Sequence, residues 1–480
     1  MQASLGGLLG GPGLVPAGAA VLMFGLIAVT LLRRAQALGL PAYDSAFFEH
    51  VVWNLGHGRG FSALGFYPAD FLSLHFSPLL GLPALLELAW PDPRLLILLH
   101  ALALAASAPA AFLFLRRLLA GQPRGDWVAA ALAAPLPFWP ELQEAARAGF
   151  HTEALALPLI LLAAWAGLGG RRWLCSGLIL AVLAAKEDQV YAVAVVGLLL
   201  FFHAPSKRFG AAILATAVAW GLLTELVVMP GLRGTVVSQV DDYYHWLHAA
   251  SPAALAAALL APAGWIAFGG MVIGVVGLPL LRPGWLALAL PPLGVDLLSA
   301  HQPQPQLLLQ YGQPLVVPLL VAGGLGASRL LGHGPAFWVP ARRTEWPSRK
   351  RRPRPWPPGW AIAGVALVPF LLGLAFGPLA HPLHPPSTAM ERLLACTSRL
   401  PAGAPLAADD AAALALSARP LLKLSTEAGP ADFVLVDREG RVPAYIDTRR
   451  RLGVLAGLPA GGRRVLCDDG RFQLWSPAGG

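Results

Sequence analysis

Four short polar clusters hold the residue types that move protons and steady developing charge. Asp44, Glu49, His50, Asn54 and His57 fall in PAYDSAFFEHVVWNLGHGRGF (41–61), and His75 in SLHFSPL (73–79). His151 and Glu153 lie in GFHTEAL (149–155), just after Glu141, Glu144 and Arg147, while Lys186, Glu187 and Asp188 stand together between apolar stretches. Two later loops add Asp241-Asp242-Tyr243-Tyr244-His245 and the set Asp296, His301, Gln310 and Tyr311. A carboxylate beside an imidazole suits general acid–base work, and a fixed cation suits an anionic leaving group. Each cluster also has a plainer role. Asp44 follows a Pro-Ala-Tyr turn and fits a helix N-cap. Helical spacing over 45–55 puts Phe47, Phe48, Val51, Val52 and Leu55 on one side and Glu49, His50 and Asn54 on another, an interfacial helix with Glu49 and His57 facing water. His75 fits a satisfied interface residue, Lys186-Glu187-Asp188 a self-paired exposed turn, and YYHWLH (243–248) an aromatic belt.

The elements that position these clusters are membrane helices. The chain is 56% hydrophobic and 13% charged, against about 25% charged in a soluble domain, with a mean hydropathy of +0.60. Residues 1–32, 251–281, 312–328 and 355–380 carry no charged side chain, each run close to or above the ~20 apolar residues that span a bilayer. The expected fold is an all-α polytopic membrane protein of about 11–13 transmembrane helices. It occupies residues 1–380, with a first external loop at 35–72 and a cytoplasmic basic loop at 331–358, and a small soluble α/β domain follows at 381–480. Strand-like DFVLVD (432–437) and FQLW (472–475), a hairpin turn at 467–471 and a helical run at 412–424 mark that domain. Short proline-rich segments such as 77–93 and 134–140 imply a cavity in the N-terminal half, where freed backbone groups find partners.

The net charge of +9 comes mostly from the run Arg342 to Arg354, opposed by the lone acid Glu345. Beside a spanning helix this reads as a cytoplasmic anchor; with no aromatic platform or folded module it does not read as a nucleic-acid surface. Counting back from it exports 381–480 and puts 296–311, 230–260, 186–188 and His151 outside, with Arg282, Lys207-Arg208 and Arg171-Arg172 inside. Further back, counting every apolar segment places Asp44 inside, and one crossing more or fewer between 73 and 140 reverses that. Cys175 reads as an inert core thiol, whereas Cys396 and Cys467 fall where export would let them pair. No H-x-x-x-H, C-x-x-C or Walker-type loop occurs. The oxygen ligands would suit only a hard divalent cation (Mg or Mn), held by Asp44 with Glu153 or Asp188.

YDSAFFEHVVWNLGHGRGF, HFSPLL, FHTEALALPL, AAKEDQVY and QYGQPLVVP, in that order, resemble an uncharacterised family of predicted bacterial and archaeal multi-pass membrane proteins. That family has a distant likeness to the GT-C class of lipid-phosphate-dependent glycosyltransferases. The resemblance covers most of residues 40–330. It implies Asp44 as a base on the acceptor or a metal holder in the first external loop, and a polyprenyl-phosphate-linked sugar donor whose tail lies between helices. It also implies His75 in the place of the class's His-Pro-Pro-Leu histidine and an external soluble domain. Asp44 lacks the adjacent second acid of many members, which weakens the case for a metal. An inverting displacement would use Asp44 as base, Lys186 with His75 or His151 at the leaving phosphate, and Glu153, Glu187, Asp188, Tyr244 and Tyr311 around the substrate. The expected location is the cell inner (plasma) membrane, with membrane lipid and the lipid-linked donor as partners. A transporter or flippase lined by the same charges, and a non-enzymatic assembly protein, are the rival readings.

Overall fold

The computed structural model describes residues 11–331, 359–377, 379 and 387–479, apart from Leu64, Pro123, Ala402, Arg441, Ala444 and Tyr445. The basic run at 332–358, and with it the expected cytoplasmic loop, lies outside the described residues.

α1 (Leu14–Gln36) carries the chain to the segment that holds Asp44. A five-residue π-helical turn, Ala42–Ala46, leads straight into α2 (Phe47–Gly56). Segment 73–90 then fails to cross. Its prolines leave a 3-10 turn at Pro78–Leu80 and α3 (Gly81–Glu87), whose 7 residues give about 10 Å of helix against a hydrocarbon core of ~30 Å. α4 (Arg94–Leu118) crosses, and α5 (Gly125–Ala133) returns the chain through a 3-10 turn to α6 (Pro140–Ala148). α7 (Thr152–Leu168), α8 (Arg172–Leu183), α9 (Val190–His203) and α10 (Lys207–Leu223) zigzag between the two faces, and α10 runs on through a π-turn to α11 (Met229–Arg233). α12 (Gln239–Tyr244) lies on the face of Asp44. α13 (Pro252–Leu259) and α14 (Pro262–Gly274) lead away from that face, α15 (Pro283–Leu286) and α16 (Leu290–Leu297) lead back, and α17 (Val316–Leu330) and α18 (Gly359–Phe376) follow.

Because α3 does not cross, the count that placed Asp44 with Arg116 and Arg117 is overturned. Arg34 at the end of α1 donates to the Arg147 carbonyl (2.6 Å), and Arg233 reaches the Ser73 carbonyl (3.4 Å). His100, near the start of α4, reaches the Ala145 carbonyl (3.1 Å), whereas Arg117 at its end abuts Gly169 beyond α7. Asp44, His75, His151, Lys186 and Asp296 therefore share one face. The opposite face gathers Arg116, Arg117, Arg171, Arg172, Lys207, Arg208, Arg282 and Arg329. The loop that opens after α1 also runs to Pro93 rather than closing at residue 72.

Among the described residues five helices are long and apolar enough to cross a bilayer: Gly11–Gln36, Arg94–Leu118, Lys207–Arg233, Pro252–Gly274 and Gln313–Leu330. The other apolar runs of the expected eleven to thirteen form helices of varied length, among them 18 residues in α18, 17 in α7 and 12 in α8. α8 has 12 residues, about 18 Å of helix. A hairpin that short ends below the level reached by its longer neighbours, so the Lys186-Glu187-Asp188 turn at its tip is recessed. α4 and α17 form the centre, with 72% and 78% of their apolar windows buried, while α1 and α10 turn bare leucines and valines outward.

The C-terminal region holds α19 (Ala389–Thr397), β1 (Leu406–Ala408), α20 (Asp410–Ala413), β2 (Leu422–Leu424), β3 (Phe433–Asp437), α21 (Thr448–Ala460), β4 (Val465–Asp468) and β5 (Phe472–Trp475). The sheet order is β2-β1-β3-β5-β4, with β1 parallel to β2 and β3, and β5 antiparallel to β3 and β4. The expected strands at 432–437 and 472–475 and the turn at 467–471, where Gly470 takes φ 93°, are present. The expected helix over 412–424 is not continuous: helical turns end at Leu416, and Leu422–Leu424 joins the sheet as β2. Cys396 on α19 and Cys467 on β4 form a disulfide, and Cys175 is free and buried.

Candidate functional site

Asp44 caps no helix. It sits inside the π-turn, a local over-winding that recurs at functional sites, and the N-terminus of α2 receives no side-chain bond. Its Oδ1 instead lies 3.4 Å from His151 Nε2. His151 Nδ1 donates to the Gly149 carbonyl (3.2 Å), so a proton on the nitrogen facing Asp44 makes the ring an imidazolium. The balance of forces agrees: burial disfavours that charge, but the Asp44 carboxylate outweighs it and holds His151 above the ordinary imidazole range. The approach depends on Gly149, which takes φ 97° and passes so close to Ser45 that a Cβ would overlap the Ser45 hydroxyl. Phe48 packs edge-on against the His151 ring at 5.3 Å.

Beside this dyad lies a buried charge cluster. Lys186 Nζ binds Glu153 Oε1 at 2.5 Å and Asp188 Oδ2 at 3.3 Å. Glu187 turns the other way, accepting from His75 Nδ1 (3.1 Å) and from the Phe76 amide (2.8 Å). The Leu79 amide donates to the Ala184 carbonyl (2.8 Å), which ties HFSPL to the end of α8. Tyr311 lies within electrostatic reach of Lys186, Glu153 and Asp44, and Asp296 within reach of Asp188 and Lys186. Tyr244 is one step out, donating to the Val295 carbonyl (3.1 Å). The structure thus brings Asp44, His75, His151, Glu153, Lys186, Glu187, Asp188 and Tyr311 together, with Tyr244 at the edge.

Two expectations change. Lys186 is already neutralised by two carboxylates, so its charge is not free for a leaving phosphate. The cation within electrostatic reach of Asp44 is Arg34, while Arg147 beside it is held by Glu144 (2.8 Å). A divalent ion does not fit the proposed ligands either: Asp44 faces His151, and Glu153 and Asp188 both hold Lys186. Among the described residues no three His, Cys, Asp or Glu side chains gather as a metal site.

Glu49 also departs from the solvated face expected of it. It is 1% exposed, packed between α2 and α3, and neither of its oxygens nor those of Glu87 has a hydrogen-bond partner. Burial, with Glu87 and Asp92 adding to it, pushes its carboxyl up to about 8. His57 does face solvent, stacked on Trp53 at 4.1 Å. The C-terminal region covers this segment: the Ala42 amide donates to Asp410 (3.0 Å), His50 Nδ1 donates to the Ser417 carbonyl (3.1 Å), and Gly65 lies against the Leu422 carbonyl.

Residues 34–353, from the end of α1 to beyond α17, match a family of predicted membrane proteins. The chain belongs to the DUF2079 family. The matched region contains every polar cluster of the site and ends before the C-terminal sheet. No curated protein matches the chain. Membership fixes a membrane location, in keeping with the five long apolar helices, and leaves the chemistry to the site itself. Sequence reasoning missed Ser45, Gly149 and Arg34 as parts of this DUF2079 site. The available signal was Gly149, a glycine directly before the Phe-His pair.

Proposed function

We propose that this chain is a GT-C-like membrane glycosyltransferase that moves a sugar from a polyprenyl-phosphate donor to an acceptor hydroxyl, with Asp44 as base. The observation that carries the reading is the Asp44–His151 dyad, set beside a recessed, buried charge cluster at one end of the helices. In the proposed step Asp44 takes the acceptor's proton, the acceptor oxygen bonds to the anomeric carbon, and the bond to the phosphate oxygen breaks with its electron pair on the phosphate. His151 orients the carboxylate, and Arg34 meets the phosphate. The ordered Lys186–Glu153–Asp188 group is structural support for the floor of the site.

The active face is proposed to lie outside the plasma membrane. Supporting this, basic residues concentrate on the opposite face, and the Cys396–Cys467 disulfide belongs in an oxidising compartment. An apolar cavity of about 440 Å³ between α1, α18 and Phe138 offers a lipid chain a place within the membrane. A transporter would place its ionisable groups near mid-membrane, whereas here they gather at one end.

The test is transfer by the purified full chain in proteoliposomes supplied with polyprenyl-phosphate hexoses. Asp44→Asn should lower turnover by about 10²–10⁴-fold, and unimpaired turnover would sink the base assignment. Maleimide labelling of cysteines placed at 44 and 188 should occur from one side only; labelling that switches sides with substrate would favour transport.

A further inference from the structure

Next to the dyad stands a wall of buried polar groups with nothing to bind. Asp296, at the end of α16, is 5% exposed; its Oδ1 accepts from Gln304 (3.0 Å), and its Oδ2 has no partner. Gln304 also donates to the Tyr244 hydroxyl (3.2 Å), which leaves its own Oε1 without a donor. Gln310 Oε1 and both polar atoms of the Gln313 side chain are likewise buried and partnerless. Most buried polar atoms in folded proteins are satisfied, so several orphans in one short stretch point to a missing occupant. The backbone is strained to hold them there, since Leu307 and Leu309 both take left-handed φ values of 54° and 56°.

The same wall carries an aromatic surface. Tyr243 stacks on His301 at 4.7 Å and 3°, and Tyr311 meets the His301 ring edge-on at 5.9 Å. The Ala300 amide donates to the Tyr243 carbonyl (2.8 Å) and Trp246 to the Leu298 carbonyl (2.9 Å), so α12 is fixed against this loop. His301 and Tyr311 both lie within electrostatic reach of Asp44.

The orphans are mostly acceptors, so the occupant presents hydroxyl or amine donors. Burial holds the Asp296 carboxyl well above the usual carboxylate range, so it meets the occupant as a neutral group and gives a charged phosphate no partner. A flat apolar ring surface beside several acceptors matches one chemical class. We propose that Asp296, Gln304, Gln310 and Gln313, with the Tyr243–His301 stack, form a subsite for the hydroxyls of a neutral sugar ring. This rests on the glycosyl-transfer reading and deepens it: the ring is gripped here while its reacting carbon faces Asp44.

The experiment titrates full-length protein in lipid nanodiscs with methyl hexopyranosides of several configurations, followed by saturation-transfer NMR, with methylammonium and methyl phosphate as charged controls. At least one hexoside should bind, and Gln310→Ala and Asp296→Asn should each weaken it about tenfold. Gln310→Ala removes an oxygen that bonds nothing in the chain, so folding should survive it. Three results would overturn the subsite: no hexoside binds, both variants bind like the wild type, or methylammonium displaces the hexoside. Measuring both this binding and sugar transfer for the Asp44→Asn, Gln310→Ala and Asp296→Asn proteins separates the two ideas. Wall-dependent binding with Asp44-independent transfer defeats only the base assignment. Asp44-dependent transfer with wall-independent binding defeats only the subsite.

Discussion

Replacing Lys186 by methionine tests whether the charge cluster is the structural support assigned to it. The Lys186 and Glu153 side chains are 9% and 3% exposed, while Asp188 keeps 32% of its side chain in contact with solvent. Lys186→Met therefore strands Glu153 nearly dry, and removing one partner of a buried pair destabilises by about 3–5 kcal/mol. Glu153→Gln is milder, because Lys186 keeps Asp188 at 3.3 Å; about half that loss is expected for a lysine left with one partner. The double variant Lys186→Met/Glu153→Gln leaves no dry charge, so it should be more stable than Lys186→Met alone, with a coupling of about 1–3 kcal/mol. Equilibrium unfolding of the full chain in mixed micelles, read by tryptophan fluorescence, measures all three. If the two single losses add to within about 0.5 kcal/mol, the buried ion pair is refuted, and Lys186 becomes available again for a role at the phosphate.

Three further outcomes follow from the geometry. Gly149→Ala should push Ser45 and the π-turn away from His151 and lower turnover about a hundredfold while leaving the fold intact; unchanged turnover would mean the contact seen at Gly149 does not set the position of Asp44. Removing the disulfide, which closes a separation of 71 residues, should destabilise the C-terminal region by ~4 kcal/mol, measurable as earlier proteolysis of that region in the Cys396→Ala/Cys467→Ala protein. Glu49 binds its proton more tightly folded than unfolded, so the stability it lends is full below pH 4.5 and lost as pH rises toward about 8; Glu49→Gln should flatten that fall, and an unchanged pH profile would show that Glu49 is not dry.

The sequence made the inventory of the site legible but not its pairings. Asp44, His75, His151, Glu153 and Lys186 stood out because each interrupts an apolar pattern. That His151 would hold Asp44 and that Glu153 would hold Lys186 depends on helices packing side by side, which no local pattern encodes. Glu49 shows the same limit from the other side: its helical spacing does oppose it to Phe47 and Val51, but α3, with Glu87, covers the face that water would have met. In the sheet, β3 and β5 were readable as short apolar runs of β-branched and aromatic residues, while the three residues of β2 were hidden in a leucine-rich run that reads equally well as helix. The crossing count failed because composition registers apolarity, whereas spanning needs uninterrupted length, and the prolines of 77–93 remove it.

The covering region bears on which rival reading survives. It holds the Asp44 segment at three places, through Ala42 to Asp410, His50 to Ser417 and Gly65 to Leu422, all within the stretch that positions the dyad. A gate that must swing open to pass a solute would be poorly served by a disulfide-closed sheet bonded to the very turn that carries its charge. An enzyme gains from the same arrangement, because a rigid cover excludes water and holds the base within the fraction of an ångström that transfer requires. In this chain the Asp44 turn and its cover are one mechanical unit, and loosening any of the three attachments should be felt at Asp44 before it is felt in the membrane helices.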